Sequence, residues 1–166
     1  LLLPSLEREI RAALTERASQ SAIALFGENL HHLLMQPPVK GHVTLGVDPG
    51  FRTGCKLAVV DAHGKVLQTG VAYFTLPNLE RKMAEARSIV GDMIRRNGVT
   101  AIAIGNGTAS RESESFIAAL LKEPGLENVR YAIVSEAGAS VYSASKLGAE
   151  EFPEYDVSLR SAVSIA

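Results

Sequence analysis

Hydrophobic residues from position 42 onward follow two different periods, and this change constrains the fold more than any other feature. Three short apolar runs come first, at 43–48, 56–61 and 66–75, and only tight turns separate them. Two more runs, 99–104 and 129–134, alternate with segments in which apolar residues recur every three or four positions. Strands joined by short turns pair antiparallel, whereas strands joined through helices run parallel. The sequence therefore predicts an α/β fold with a mixed five-stranded sheet, three antiparallel strands then two parallel ones, flanked by helices.

A long helical arm is predicted before this sheet. Apolar residues recur at helical spacing from Leu6 to about Met35, with a break expected near Gly27. Gln36-Pro37-Pro38 ends the pattern because proline lacks an N–H and disfavours helix in the residue before it. We therefore expect a helical arm at 1–36, part of a neighbouring helical region, and a second domain at 42–166.

Four helices are expected within the second domain, and their boundaries can be read from the sequence. Pro77 and Asn78 open the first of them, and Asn97-Gly98 stops it. Pro153 separates the last two. After the first, the predicted helices span Thr108–Lys122, Ser140–Phe152 and Val157–Ala166.

Composition limits the possible functions. The net charge is -1, so no overall field draws the chain to nucleic acid, and any such contact must use a local patch. The single cysteine, Cys55, excludes an internal disulfide and a cysteine-based zinc cluster, and it fits a reducing cytoplasm. No apolar run approaches the roughly 20 residues that span a bilayer, so we expect no membrane partner.

The ends of the chain indicate a piece of a longer protein. The sequence begins at Leu1 without an initiator methionine. It stops at Ser164-Ile165-Ala166 inside an apolar-periodic run, without a glycine, proline or basic stop signal. We expect the second domain to be truncated at its C-terminal helix.

Polar residues fall at the carboxyl ends of strands, where open α/β sheets bind their ligands. Asp48 ends the first strand and Glu136 follows the fifth; if these strands adjoin, the two acids approach one another, and Asp156 can join them from the last helix. Carboxylates gathered in this way suit Mg²⁺, which serves phosphoryl-transfer chemistry. The alternative is that each acid is a solvated strand-end residue or a helix cap, with Asp48-Pro49-Gly50 a simple turn. Spacing alone leaves both interpretations open.

The loop after the first strand combines Gly50 and Gly54 with the side chains of Arg52 and Thr53. Glycines let backbone N–H groups approach a phosphate, and arginine can contact it with two hydrogen bonds. The alternative is a tight hairpin that needs glycine for its backbone angles.

A second glycine-rich turn, Gly105–Glu112, follows the fourth strand and contains Asn106, Thr108 and Arg111. Thr108 is predicted to cap the next helix, and the starts of helices bind anions readily. An ordinary capped loop explains the same pattern without a ligand.

Several long motifs in this order resemble one family. They are Leu45–Lys56, Ile102–Glu112, Glu136–Ser145, Glu151-Phe152-Pro153 with Asp156–Arg160, and the preceding Gln36–Gly41. Together they resemble the YqgF-type RNase H-like (RuvC-like) domain of the bacterial Tex family of transcription accessory proteins, over about 22–166. The resemblance implies an RNase H-like fold at 42–166 and a cytoplasmic, transcription-linked role. It also implies binding of RNA or structured DNA together with downstream modules, and contact with the transcription machinery.

The resemblance also indicates which acids to expect. Nuclease relatives carry acids after the first strand, after the fourth strand and on the last helix. Asp48 matches the first, and Glu136 matches the acid that YqgF relatives carry after the fifth strand. The fourth-strand acid falls near Gly105 or Asn106 and is therefore missing.

The last-helix acid of those relatives falls near 158–161. Asp156 is only a neighbour of that stretch, and Arg160 places a positive charge where a metal ligand is expected. The candidate catalytic set of Asp48, Glu136 and Asp156 is thus incomplete, with Asp48 and Glu136 as the candidate ligands of Mg²⁺ or Mn²⁺.

These observations predict a nucleic-acid-binding domain with degenerate or no nuclease activity and no required cofactor. The alternatives are a Mg²⁺-dependent RuvC-like nuclease or Holliday-junction resolvase, and a scaffold that only positions neighbouring modules. The candidate nucleic-acid contacts are Gly50, Arg52, Thr53, Gly54, Asn106, Thr108 and Arg111.

Overall fold

The computed structural model describes residues 2–35, 39–75 and 80–166. The chain divides into two compact units, Leu1–Val39 and Lys40–Ala166. Its elements, in chain order, are α1 (Leu2–Leu34), β1 (Thr44–Asp48), β2 (Cys55–Val60), β3 (Val66–Ala72), α2 (Glu80–Asn97), β4 (Ala101–Gly105), α3 (Ser110–Leu120), β5 (Arg130–Val134), α4 (Ala137–Ser143), α5 (Lys146–Glu151) and α6 (Val157–Ile165).

The first unit is the predicted helix, and its described side chains are exposed. The expected break near Gly27 is wrong, because α1 continues through that residue. A single glycine costs a helix only about 1 kcal/mol, which does not by itself end one. Two of the expected boundaries, Gln36-Pro37-Pro38 and Pro77-Asn78, lie outside the described residues. None of the described helices is long and apolar enough to cross a membrane.

The second unit contains the predicted mixed sheet, with strand order β3-β2-β1-β4-β5. β2 pairs antiparallel with β1 and with β3, whereas β4 runs parallel to β1 and to β5. Gly64 in the β2–β3 turn has a φ of 87°, the left-handed conformation that glycine adopts without strain. The five-stranded RNase H-like arrangement expected from the sequence is confirmed.

The two faces of the sheet carry different side chains. Leu45 and Val47 of β1 are fully buried in a hydrophobic core that includes residues of α2 and α3. Because successive strand residues point to opposite faces, Gly46 and Asp48 face the other side, where α6 packs. A Cβ on Gly46 would overlap the backbone oxygen of Ala162, so this glycine allows α6 to approach β1 closely. That approach brings α6 to the end of the strand that carries Asp48.

Two predicted elements differ from the structure. A continuous apolar run such as 129–134 predicts a buried strand, yet Tyr131 and Ile133 are 38% and 45% exposed, because β5 lies at the edge of the sheet. An apolar run alone does not distinguish an edge strand from a central one. The single helix expected at 140–152 is two helices, because the Ser145 hydroxyl accepts a hydrogen bond from the Gly148 N–H at 3.0 Å and caps a new helix start.

Candidate functional site

Asp48 is the centre of the polar cluster at the carboxyl end of β1. Burial raises the pKa of this carboxyl above its ordinary value, and the neighbouring Glu136 carboxylate raises it further. The Ser161 hydroxyl of α6 and the positive charge of Lys56 lower it in part. Asp48 is therefore an acid whose charged form is only partly supported by its surroundings.

Lys56 was not singled out from the sequence, and the strand register places it directly opposite Asp48. Its Nζ donates a hydrogen bond to the Thr53 carbonyl oxygen at 2.7 Å, which holds the ammonium beside the 50–54 loop. Counting residues across the short turn between β1 and β2 is the sequence signal that could have paired Lys56 with Asp48. The ammonium supplies positive charge next to a carboxylate that a metal ion would otherwise neutralise.

Glu136 reaches the same cluster from further away than expected. The predicted approach of the two acids required β1 and β5 to adjoin, but β4 lies between them. The carboxylate nevertheless raises the pKa of Asp48, so the two acids interact electrostatically. A Cβ at Gly105 or Gly107, on either side of the intervening turn, would overlap the Glu136 carboxylate. These two glycines leave the space through which Glu136 crosses the end of β4.

Glu136 donates a hydrogen bond through its backbone N–H, and one of its carboxylate oxygens is buried without a hydrogen-bond partner in the part of the chain that the structure describes. Its backbone N–H donates to Asn106 Oδ1 at 3.2 Å, which ties the start of α4 to the turn after β4. Its Oε2 atom is buried and has no hydrogen-bond partner among the described residues. The carboxylate therefore occupies the region beside Gly105, where nuclease relatives were expected to carry their fourth-strand acid.

Asp156 does not join this pair. Its Oδ1 accepts a hydrogen bond from the Leu159 N–H at 2.8 Å, and it caps the start of α6 as an exposed residue. Residues 2–35, 39–75 and 80–166 contain no group of three or more histidine, cysteine, aspartate or glutamate side chains that could hold a metal ion. The structure thus brings Asp48 and Glu136 together and assigns Asp156 a capping role.

Arg160 also lies elsewhere than the sequence indicated. Its Nε donates to the Phe152 carbonyl oxygen at 3.0 Å, so the side chain links α6 to the end of α5. The residue that faces Asp48 from α6 is Ser161, a buried serine one position further on. The position expected for a last-helix ligand therefore presents a neutral hydroxyl to Asp48.

A two-metal centre needs several carboxylates to offset the charge of its ions. Asp48 and Glu136 offer two, and the side chains that complete the cluster are the hydroxyl of Ser161 and the ammonium of Lys56. Among the described residues, the unpartnered oxygen of Glu136 favours a cation. The described residues do not fit a two-metal nuclease centre.

The 50–54 loop is a fixed turn with exposed side chains at its tip. The Gly50 carbonyl oxygen accepts a hydrogen bond from the Thr75 hydroxyl at 2.7 Å, and Gly54 has a φ of 77°. Arg52 and Thr53 are exposed between these fixed ends. The loop therefore needs glycine for its geometry, and it also presents a cation and a hydroxyl to solvent.

The turn after β4 departs from the prediction that Thr108 caps the next helix. Thr108 is exposed, and the cap position of α3 is Ala109, whose φ of 67° is left-handed and whose side chain makes no capping bond. The Ser110 N–H bonds to the Gly107 carbonyl oxygen at 3.2 Å, so a tight turn precedes the helix and displaces its start. Arg111 stands exposed in the first turn of α3.

Comparison with known proteins identifies the family of the chain. The model of the Tex protein YqgF-like domain matches residues 42–166. The chain is 54% identical over 166 residues to the "Uncharacterized protein YdcI" of Bacillus subtilis, covering 100% of this chain and 23% of that protein. It is 46% identical over 162 residues to the "Transcriptional accessory protein Tex" of Neisseria gonorrhoeae, covering 98% and 21%. It therefore spans about a fifth of the length of these relatives.

A human relative and a solved structure extend the comparison. The human "S1 RNA-binding domain-containing protein 1" is 44% identical over 168 residues, and the match covers 100% of this chain and 16% of that protein. The fold is similar to that of Thermus thermophilus RuvC, solved in complex with a Holliday junction substrate. That similarity has a TM-score of 0.57 at 18% identity and covers 75% of this chain and 90% of the other, so it shows the fold alone. With the family model matched over the whole sheet and its helices, the chain belongs to the Tex protein YqgF-like domain family.

Proposed function

We propose that this chain is a nucleic-acid-binding RNase H-like domain of a cytoplasmic Tex-type transcription accessory protein, with degenerate or no nuclease activity. The observation that carries this proposal is the set of side chains around Asp48. Ser161 lies on the last helix, where nuclease relatives of this fold carry an acid, and Lys56 places an ammonium opposite Asp48. Asp156 serves as a helix cap. Asp48 and Glu136 remain as a pair of acids without the partners that metal-assisted cleavage requires.

Binding is supported by the two glycine turns that flank this pair. Arg52 is exposed on the turn that follows β1, and Arg111 is exposed in the first turn of α3, just after the glycine turn that follows β4. β1 and β4 run parallel, so their carboxyl ends lie at the same end of the sheet, and both arginines are located at that end. Contacts to phosphate position a protein on nucleic acid without reading its sequence, which suits exposed arginine beside glycine backbone. The candidate contacts are Gly50, Arg52, Thr53, Gly54, Asn106, Thr108 and Arg111.

The experiment combines binding with cleavage on the same preparations. Fluorescein-labelled single-stranded RNA, single-stranded DNA and a four-way DNA junction are titrated with the chain, and cleavage is followed with Mg²⁺ or Mn²⁺ present. We expect salt-sensitive binding of at least one of them and no cleavage of any. Cleavage that requires the metal and disappears in Asp48→Asn would overturn the degenerate site and establish the nuclease alternative. Binding that Arg52→Glu and Arg111→Glu leave unchanged would favour a scaffold.

The nuclease alternative retains one favourable observation, the buried and unpartnered Oε2 of Glu136 next to Asp48. If the missing charges explain inactivity, restoring them should create a metal site. We expect the double variant Ser161→Asp, Lys56→Gln to bind Mn²⁺ measurably by calorimetry and the parent chain to bind it far more weakly. Ser158→Asp with Lys56→Gln is the control, since residue 158 is not among the groups that perturb Asp48. Equal Mn²⁺ binding by parent and double variant would contradict the proposed degeneracy.

A further inference from the structure

Tyr73 is an exposed aromatic side chain beside the 50–54 loop, outside the cluster around Asp48. It follows the last residue of β3 and is 38% exposed. A Cβ on Gly54 would lie 3.0 Å from Tyr73 Cε1, so the ring edge rests against the loop. Tyr73 is therefore positioned by the same turn that displays Arg52 and Thr53.

One cation lies over this ring, and two more belong to the adjoining loop and strand. The Lys82 ammonium of α2 lies 4.7 Å from the ring centroid, within the range of a cation–π contact. Arg52 is exposed on the adjoining loop, and Lys56 is held against the Thr53 carbonyl oxygen. In the part of the chain that the structure describes, neither Lys82 nor Arg52 forms a close ion pair with a carboxylate. An aromatic face with unneutralised cations around it is the combination that binds a single-stranded nucleic acid.

The position of Tyr73 connects this feature to the acidic pair. Lys56 pairs with Asp48 on one side and with Val71 on the other, so the three residues form a row across β1, β2 and β3. Two spacings between strands put β3 about 10 Å from β1. Tyr73 follows Val71 by two residues on the same face, which places it beyond that row at the loop end of the strands. Tyr73 therefore lies at the same end of the strands as the 50–54 loop that carries Arg52.

We propose that Tyr73, with Lys82 and Arg52, is a stacking site for an unpaired base of single-stranded nucleic acid. The exposed part of the ring stacks on the base, and Lys82 and Arg52 contact the flanking phosphates. The inference rests on the proposed nucleic-acid binding and adds the strand type and the site to it. Stacking does not depend on base identity, because every base has a π face, so the site selects an unpaired strand rather than a sequence.

The test measures the affinity of the chain for a fluorescein-labelled 12-nucleotide oligouridylate by polarisation. We expect Tyr73→Ala to weaken binding about tenfold, and Tyr73→Phe, which keeps the ring, to bind like the parent. Binding of a fully paired 12-base-pair RNA duplex should change little in either variant, because its bases are already stacked. Circular dichroism and thermal unfolding establish that the variants are folded.

Tyr131 provides a matched control on the opposite edge of the same sheet. It is also 38% exposed, but its hydroxyl donates to the Glu114 carboxylate at 3.3 Å, so an anion rather than a cation accompanies it. Tyr131→Ala should bind oligouridylate like the parent. If Tyr73→Ala leaves the affinity for oligouridylate unchanged, the stacking site is overturned and the proposed function still stands. The same holds if Tyr73→Phe and Tyr131→Ala lose affinity equally. A parent chain that binds none of the single-stranded or duplex probes overturns the proposed function itself.

Discussion

At the scale of single residues, the charges around Asp48 determine how much its ionised carboxylate destabilises the folded state. Its pKa is raised chiefly by burial and next by Glu136, while Ser161 and Lys56 oppose the shift. A carboxyl with a raised pKa binds protons more readily in the folded state than in the unfolded state. Its ionisation therefore destabilises the fold as the pH rises through the raised pKa, and this cost is absent below the ordinary carboxyl pKa.

Replacing Asp48 by asparagine should accordingly stabilise the protein at neutral pH. The substitution keeps the size of the side chain and removes the poorly supported charge, so we expect a melting temperature higher by a few degrees at pH 7. The gain should shrink as the pH falls through the raised pKa of Asp48, because the parent carboxyl then becomes protonated. Thermal unfolding of both proteins across this range measures the effect. An unchanged or lower melting temperature at pH 7 would contradict the electrostatic description of the site.

Asp61 is a control for Asp48, because its pKa is lowered rather than raised. Its carboxylate accepts hydrogen bonds from the backbone N–H groups of His63 and Lys65 at 2.8 and 2.9 Å, and these bonds lower its pKa. The charged form of Asp61 is thus stabilised in the fold, and that contribution is lost as the pH falls through the lowered pKa. Asp61→Ala should lower the melting temperature at pH 7 and differ less from the parent in acid.

The glycines around Glu136 give a second prediction at this scale. A Cβ at Gly107 would overlap the Glu136 carboxylate, so Gly107→Ala should destabilise the fold by about 1–3 kcal/mol. In a Glu136→Ala background the same substitution should cost much less, because the obstructing group is gone. Chemical denaturation of the four proteins measures this coupling. Gly138→Ala is the control, since a Cβ there meets nothing within 4 Å.

Additive costs in that cycle, with no coupling between positions 107 and 136, would mean that Glu136 does not cross the end of β4 in solution. The same cycle with Gly105→Ala tests the other side of the turn, where the added Cβ would overlap the Glu136 carboxylate and approach Ile165 at 3.1 Å.

At the scale of elements, the packing of α6 on β1 determines what Asp48 faces. Gly46→Ala should force the helix away from the strand, because the added Cβ overlaps the Ala162 carbonyl oxygen and lies 2.8 Å from the Ala166 nitrogen. We expect a loss of about 1–3 kcal/mol in the free energy of unfolding, measured with urea. Gly70→Ala on β3 is the control, because its Cβ would make only ordinary contact with Met93 Sδ at 3.4 Å. Equal stabilities of the two variants would count against the close approach of α6.

The sequence predicted the elements well because the apolar period reports local geometry directly. The antiparallel and parallel pairings of the strands followed from run lengths and connections, but the position of β4 between β1 and β5 did not. The exposure of β5 did not follow, since an edge strand and a central strand share the same apolar composition. The start of α3 was missed because a backbone turn, with Ala109 left-handed, replaces the side-chain cap that Thr108 was expected to provide.

Prediction of the candidate site was weaker, because it depends on contacts between elements. The sequence singled out Asp48 and Glu136, and the structure brings the two together. Nothing in the sequence pattern indicated that Glu136 reaches past β4, since this requires the missing side chains of Gly105 and Gly107. For Asp156 the sequence left open both a metal ligand and a helix cap, and the hydrogen bond from the Leu159 N–H identifies it as the cap of α6.

At the scale of the whole molecule, the net charge of -1 means that nucleic-acid binding depends on a few local cations. In a plot of the logarithm of the binding constant against the logarithm of the salt concentration, each phosphate contact to a single strand adds about 0.7 to the downward slope. Arg52 and Arg111 together should therefore contribute about 1.4 to that slope for oligouridylate, and Arg52→Gln or Arg111→Gln should each reduce it by about 0.7. Polarisation titrations at four salt concentrations measure it.

Arg96 is the matched control for that slope, because it is exposed near the end of α2, which leads to the opposite end of β4. Arg96→Gln changes the net charge by the same amount as the other two substitutions, so an overall electrostatic effect would alter all three slopes alike. We expect the Arg96 variant to keep the parent slope. If all three variants shift together, the chain attracts nucleic acid through its total charge, and the edge of the sheet that carries Asp48 is not the binding surface.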